Sequence, residues 1–156
     1  MEPRPSPTPV LELICPPQTN MLALIRSVVA TVAREVGFPP DEIGLIELSV
    51  DEACTNVIQH AYREEGKTGL KPPELRVEIR PAGDHVAICV IDEGAGLATD
   101  SPRGVSCVEE YASKPEPKGL GSYIIARFMD EVVYGSPPGS GTVLSMVKYR
   151  HQARGV

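Results

Sequence analysis

Apolar positions along the chain change period several times, and each change predicts an element. Residues 10–15, VLELIC, form a short β-prone run closed by Pro16 and Pro17. From residue 18 to 36, Met21, Leu22, Leu24, Ile25, Val28, Val29, Val32, Ala33 and Val36 recur at helical intervals. Arg26 and Arg34 fall outside that stripe, and Gly37 is a stop signal. A second helix is predicted over 41–62, where Asp41 and Glu42 suit a helix N-terminus. Its apolar face runs Ile43, Ile46, Val50, Ala53, Val57 and Ala61, at steps of three and four. Residues 75–80, LRVEIR, alternate apolar and charged positions as a half-buried strand does, and 86–91, VAICVI, read as a central strand. A helix-like run, SYIIARFM, covers 122–129. Two strands at 132–136 and 142–149 follow, joined by a turn of sequence PPGSG.

The predicted order is therefore βααββαββ, with a long irregular stretch over 93–118 before the third helix. That order fits an α+β, two-layer sandwich: three helices on one face of a mostly antiparallel, mixed sheet. A length of 156 residues suits one domain. Proline sharpens the boundaries: 16 of 156 residues are proline, about twice the usual share. Four lie in residues 1–9, which read as a disordered tip, and pairs at 16–17, 39–40, 72–73 and 137–138 punctuate elements. Residues 10–150 are the expected folded domain and 151–156 a tail.

Composition narrows the function classes. A net charge of −6 argues against bulk electrostatic binding to nucleic acid or an anionic membrane. The four cysteines, Cys15, Cys54, Cys89 and Cys107, include no Cys-x-x-Cys pair, which disfavours a zinc site or disulfide framework and fits reduced thiols in a cytoplasmic protein. No signal-like apolar segment and no apolar run near 18 residues is present, so neither secretion nor membrane spanning is expected.

Three segments carry candidate chemistry. In 51–62, DEACTNVIQHAY, Glu52, Asn56 and His60 lie four residues apart, which puts them on one helix face at about 6 Å per step. A carboxylate, an amide and an imidazole in line could provide a base, a metal ligand and a polar contact, or simply a solvated face. In 90–97, VIDEGAGL, a strand ends in Asp92 with Gly94 and Gly96 beyond it. Such a carboxylate can accept a hydrogen bond from an amino group such as that of adenine, although an ordinary Asp-x-Gly turn reads the same way. In 118–132, KGLGSYIIARFMDEV, Gly119 and Gly121 precede a helix, where free backbone N–H groups favour phosphate. A glycine-rich loop-to-helix junction is the plainer alternative.

Taken together, EACTN, then DEGAG, then GLG heading a helix, then Gly141 and Thr142 before the last strand, resemble the GHKL ATPase/kinase superfamily. They match, in order, its N box, its two glycine boxes and the closing threonine of the Bergerat ATP-binding fold. The resemblance extends from Val10 to Tyr149. In finer texture, DEACTNVIQHAY and FMDEV resemble the anti-sigma-factor serine/threonine kinases of the RsbW type.

The resemblance implies a role for each matching residue. Glu52 would orient or deprotonate an attacking hydroxyl, and Asn56 would bind the Mg²⁺ that bridges the ATP phosphates. Asp92, with Gly94 beside it, would read the adenine, supported by Thr142. Gly96 would hinge an ATP lid at about 97–118, and Gly119, Leu120 and Gly121 would bring backbone amides to the phosphates. Lys118, with Arg103 and Lys114, would neutralise phosphate charge, while Pro102, Pro115 and Pro117 would stiffen the lid. His60 inherits no role, and Asp51, about 100° round the helix from Glu52, is read as structural.

The activity so implied is that of an ATP-dependent protein serine/threonine kinase in a partner-switching circuit. It would phosphorylate an anti-sigma-factor antagonist and hold an alternative sigma factor when the antagonist is withdrawn. A homodimer is also in keeping with the family. The alternative is a non-catalytic module, in which bound ATP sets the conformation that grips the partner.

Overall fold

The computed structural model describes residues 10–64, 74–92, 120–135 and 142–151, with residues 60–64 described by backbone only. The expected N-terminal tip, the lid, the Pro-Pro-Gly-Ser-Gly turn and most of the C-terminal tail lie outside the described residues. Strand β1 is Leu11–Cys15, and after Pro16 and Pro17 a 3-10 turn, Thr19–Met21, leads into helix α1, Leu22–Val36. The helix expected from residue 18 therefore starts with one tighter turn, a common way to enter an α-helix. Gly37 ends α1 in the left-handed conformation (φ 99°), its N–H reaching back to Ala33 and Arg34 carbonyls.

Helix α2 is Pro40–Glu64. Proline at its first position has a fixed φ suited to a helix start, and Asp41 and Glu42 place negative charge in the first turn. Strands β2 (Leu75–Pro81) and β3 (His85–Asp92) follow. Helix α3 (Leu120–Phe128) starts two residues earlier than the periodicity suggests, and β4 (Glu131–Gly135) and β5 (Thr142–Tyr149) complete the order. The sheet runs β1-β2-β3-β5-β4, so β5 inserts between β3 and β4. The α+β sandwich is as expected. All four pairings described are antiparallel, so the anticipated mixed character is absent among these strands.

Alternation decides which face the helices cover. Leu75, Val77 and Ile79 on β2, Val86, Ile88 and Val90 on β3, and Leu144 and Met146 on β5 are all buried, and their neighbours are not. These side chains form one core with Ile25, Val29 and Ala33 of α1, Ile43, Ile46, Val50, Ala53 and Cys54 of α2, and Ile125 of α3. Each large aliphatic side chain buried here contributes roughly 1.5–3 kcal/mol relative to exposure. The buried face of α2 is wider than the predicted stripe, because Cys54 and Ile58 are also buried. Helix α2 packs against α1, α3 and the sheet at once, so more of its circumference is covered.

Candidate functional site

The wide apolar contact of α2 fixes its rotation, and that rotation decides what Glu52 and Asn56 meet. Glu52 is half-buried and Asn56, one turn on, is exposed. Both turn toward the first turn of α3. A Cβ built on Gly121 would lie 2.7 Å from Glu52 Oε2, 3.7 Å from the Glu52 carboxyl carbon and 3.8 Å from Asn56 Nδ2. Two groups expected on one helix face are thus brought together with a glycine from a different motif. His60 belongs to the same helix, but its side chain lies outside the described residues.

Asp51 separates cleanly from this face. Its carboxylate accepts a hydrogen bond from Arg26 Nη1 at 2.7 Å, an ion pair that ties α1 to α2. Arg26 was legible as lying off the apolar stripe of its helix, but its partner was not. Cys54 lies on the buried side of α2, where burial pushes its thiol up to about 12, with Asp51 and Cys15 adding to the effect. A thiol held neutral in this way is a packing group and not a nucleophile.

The second part of the site lies at the end of the sheet. Asp92 is the last residue of β3, with only 5% of its surface exposed, on the face covered by the helices. In the ladder it stands opposite Leu75 on one side and Thr142 on the other. Thr142 shares the parity of Leu144 and Met146, so its side chain also belongs to the covered face. A carboxylate and a hydroxyl side by side at a strand end can take an amino group by hydrogen bonding, as the reading of adenine requires.

Leu120 is the first residue of α3, with its side chain 62% exposed. The first-turn N–H groups of a helix have no intrahelical acceptor, so those of Leu120 and Gly121 point out of the α3 N-terminus. Gly94, Gly96, Lys118 and Gly119, with Arg103 and Lys114, lie outside the described residues. What sequence reasoning missed is the contact between Gly121 and Glu52. The Gly-x-Gly pattern pointed to backbone N–H groups at a helix start, and gave no sign that a side chain from α2 takes the space at Gly121.

Residues 15–148 match the histidine kinase-like ATPase domain. The chain is 31% identical over 147 residues to the serine-protein kinase RsbW of Bacillus subtilis (strain 168), covering 92% of this chain and 88% of that protein. It is 33% identical over 143 residues to the serine-protein kinase RsbW of Halalkalibacterium halodurans, covering 89% and 82%. The anti-sigma F factor of Thermoanaerobacter sp. (strain X514) is 32% identical over 142 residues, covering 91% and 94%.

Proposed function

Because the chain belongs to the histidine kinase-like ATPase domain family, we propose that it works as an ATP-dependent protein serine/threonine kinase and anti-sigma factor. Its protein substrate is an anti-sigma-factor antagonist. Its other partner is an alternative sigma factor, held when the antagonist is phosphorylated and released when it is not. We place this circuit in the cytoplasm, with the chain acting as a homodimer. No helix among the described residues is long and apolar enough to cross a membrane.

The observation that carries this reading is the meeting of Glu52 and Asn56 with the head of α3. ATP binds with its adenine amino group toward Asp92, seconded by Thr142. Burial excludes water that would compete for that hydrogen bond. The phosphates lie toward the α3 N-terminus, where the N–H groups of Leu120 and Gly121 and the helix dipole favour negative charge. By the family resemblance, Lys118 and Gly119 would also serve the phosphates, Gly94 the adenine beside Asp92, and Gly96 the hinge of a lid.

Glu52 accepts the proton from the serine or threonine hydroxyl as its oxygen attacks the γ-phosphorus; ADP departs and the antagonist keeps the phosphoryl group. Phosphoryl transfer is mostly positioning and charge stabilisation, so one carboxylate at the right place suffices. Asn56 suits Mg²⁺, because an amide oxygen is a hard donor and this ion takes few protein ligands beside phosphates and water. The ion, when bound, neutralises charge on the transferring phosphoryl group.

Radiolabelled ATP incubated with the chain and a candidate anti-sigma-factor antagonist tests the reading. Label should move to the antagonist, and Glu52→Ala should reduce the rate by about 100-fold or more. No transfer by the wild type, or undiminished transfer by the variant, overturns it. Normal partner control by Glu52→Gln with ATP binding retained would instead identify a non-catalytic switch.

A further inference from the structure

Gly121 is a glycine for want of room. Among the described residues only Gly37 has a positive φ, so the helical backbone at Gly121 imposes no need for glycine. Space does. The missing Cβ would sit 2.7 Å from Glu52 Oε2, closer than a methyl carbon and a carboxylate oxygen approach in folded proteins. Gly44, also helical, shows the contrast, since a Cβ there would meet nothing within 4 Å.

We propose that Gly121 is a positioning residue for Glu52: the space left by its absent side chain is where the Glu52 carboxylate sits. The inference rests on the reading of Glu52 as the general base. A methyl group at residue 121 must displace something. The helices themselves resist, because α2 and α3 are anchored in the core through Val50, Ala53 and Ile125. The carboxylate is the far end of a flexible side chain and yields instead. The cost of a larger residue therefore falls on the placement of the base and hardly on the fold. A base moved by a fraction of its hydrogen-bond length no longer meets the attacking hydroxyl, and such misplacement lowers rates steeply. The Asn56 amide nitrogen, 3.8 Å from the same point, is in ordinary contact range and stays.

The full-length chain carrying Gly121→Ala, with Gly44→Ala as the control and Glu52→Asp as the partner variant, tests this. Gly121→Ala should unfold at the wild-type temperature and transfer phosphate on the order of 10- to 100-fold more slowly, a loss larger than any change in ATP affinity read by calorimetry. Gly44→Ala should transfer normally. In the Glu52→Asp background, where the carboxylate is drawn back by one methylene, Gly121→Ala should add little further loss. A crystal structure of Gly121→Ala should show the Glu52 carboxylate displaced. An unmoved carboxylate, a wild-type transfer rate, or a loss of ATP affinity as large as the loss of rate overturns the inference. Failure of the wild type to transfer at all overturns the kinase reading instead, and the crystal structure of the variant then decides this one.

Discussion

Asp92 on β3 and Thr142 on β5 stand directly opposite each other in the antiparallel ladder, on the sheet face that the helices cover. This pairing places a buried carboxylate beside a hydroxyl where β3 ends and β5 begins. Asp92→Asn exchanges a charged acceptor for a neutral one and should weaken ATP binding by about 10-fold or more, while Thr142→Ala should cost less, about 3- to 10-fold. Calorimetric titration with ATP measures both. Equal affinity for wild type and Asp92→Asn would place the nucleotide elsewhere.

Asp51 and Glu52 are adjacent carboxylates with different tasks. The Arg26–Asp51 pair is part-exposed, with side chains 42% and 25% accessible, so Asp51→Ala should cost about 1 kcal/mol or less in stability. Phosphotransfer by that variant should remain close to wild type, in contrast to Glu52→Ala. A double-mutant cycle with Arg26→Ala, followed by urea unfolding, would isolate the pair; a collapse of transfer in Asp51→Ala would reverse the assignment.

Cys54 gives the fold an alkaline signature. Its folded pKa of about 12 lies above the ordinary thiol value of 9.0. The unfolded thiol therefore ionises first, and stability is lost between pH 9 and about 12 as the unfolded state sheds a proton that the native state keeps. Cys54→Val, which cannot titrate, should show a shallower decline in melting temperature over that window. Native Cys54 should also resist thiol reagents near neutral pH until the chain unfolds. Rapid labelling of Cys54 in the native protein would contradict its burial.

Lys148 is a charged residue on the covered face of β5, only 8% exposed. Its Nζ donates to the Phe128 carbonyl at 2.9 Å, at the C-terminus of α3, and lies 3.5 Å from Asp130 Oδ1. Asp130 in turn accepts from the Tyr149 N–H at 2.7 Å. Lys148→Met should therefore loosen the junction between α3 and β4 at a cost of roughly 1–3 kcal/mol, read by urea unfolding. Unchanged stability would mean that water satisfies the Phe128 carbonyl equally well.

Much of this molecule was open to sequence reasoning because the relevant forces are local. Alternation over 75–80 marks β2, and Pro40, Asp41 and Gly37 mark helix ends through their own backbone chemistry. The four-residue spacing of Glu52 and Asn56 puts them on one face, and the order of glycine-rich segments identifies the family. Less legible were the first turn of α3, which begins at Leu120, and the burial of Cys54 and Ile58 beyond the predicted stripe. Both depend on neighbours that α2 acquires only when it packs.

The elements, their order and the chemical character of the candidate residues thus belong to the linear sequence, since periodicity and turn chemistry act over a few residues. Packing settles which of those residues meet. Inserting β5 beside β3 sets Thr142 against Asp92, and rotating α2 into the core turns Glu52 toward Gly121. Arg26 finds Asp51 by the same packing of α1 on α2. Each of these contacts joins segments far apart in the chain, and it is burial of the common apolar face that makes them neighbours.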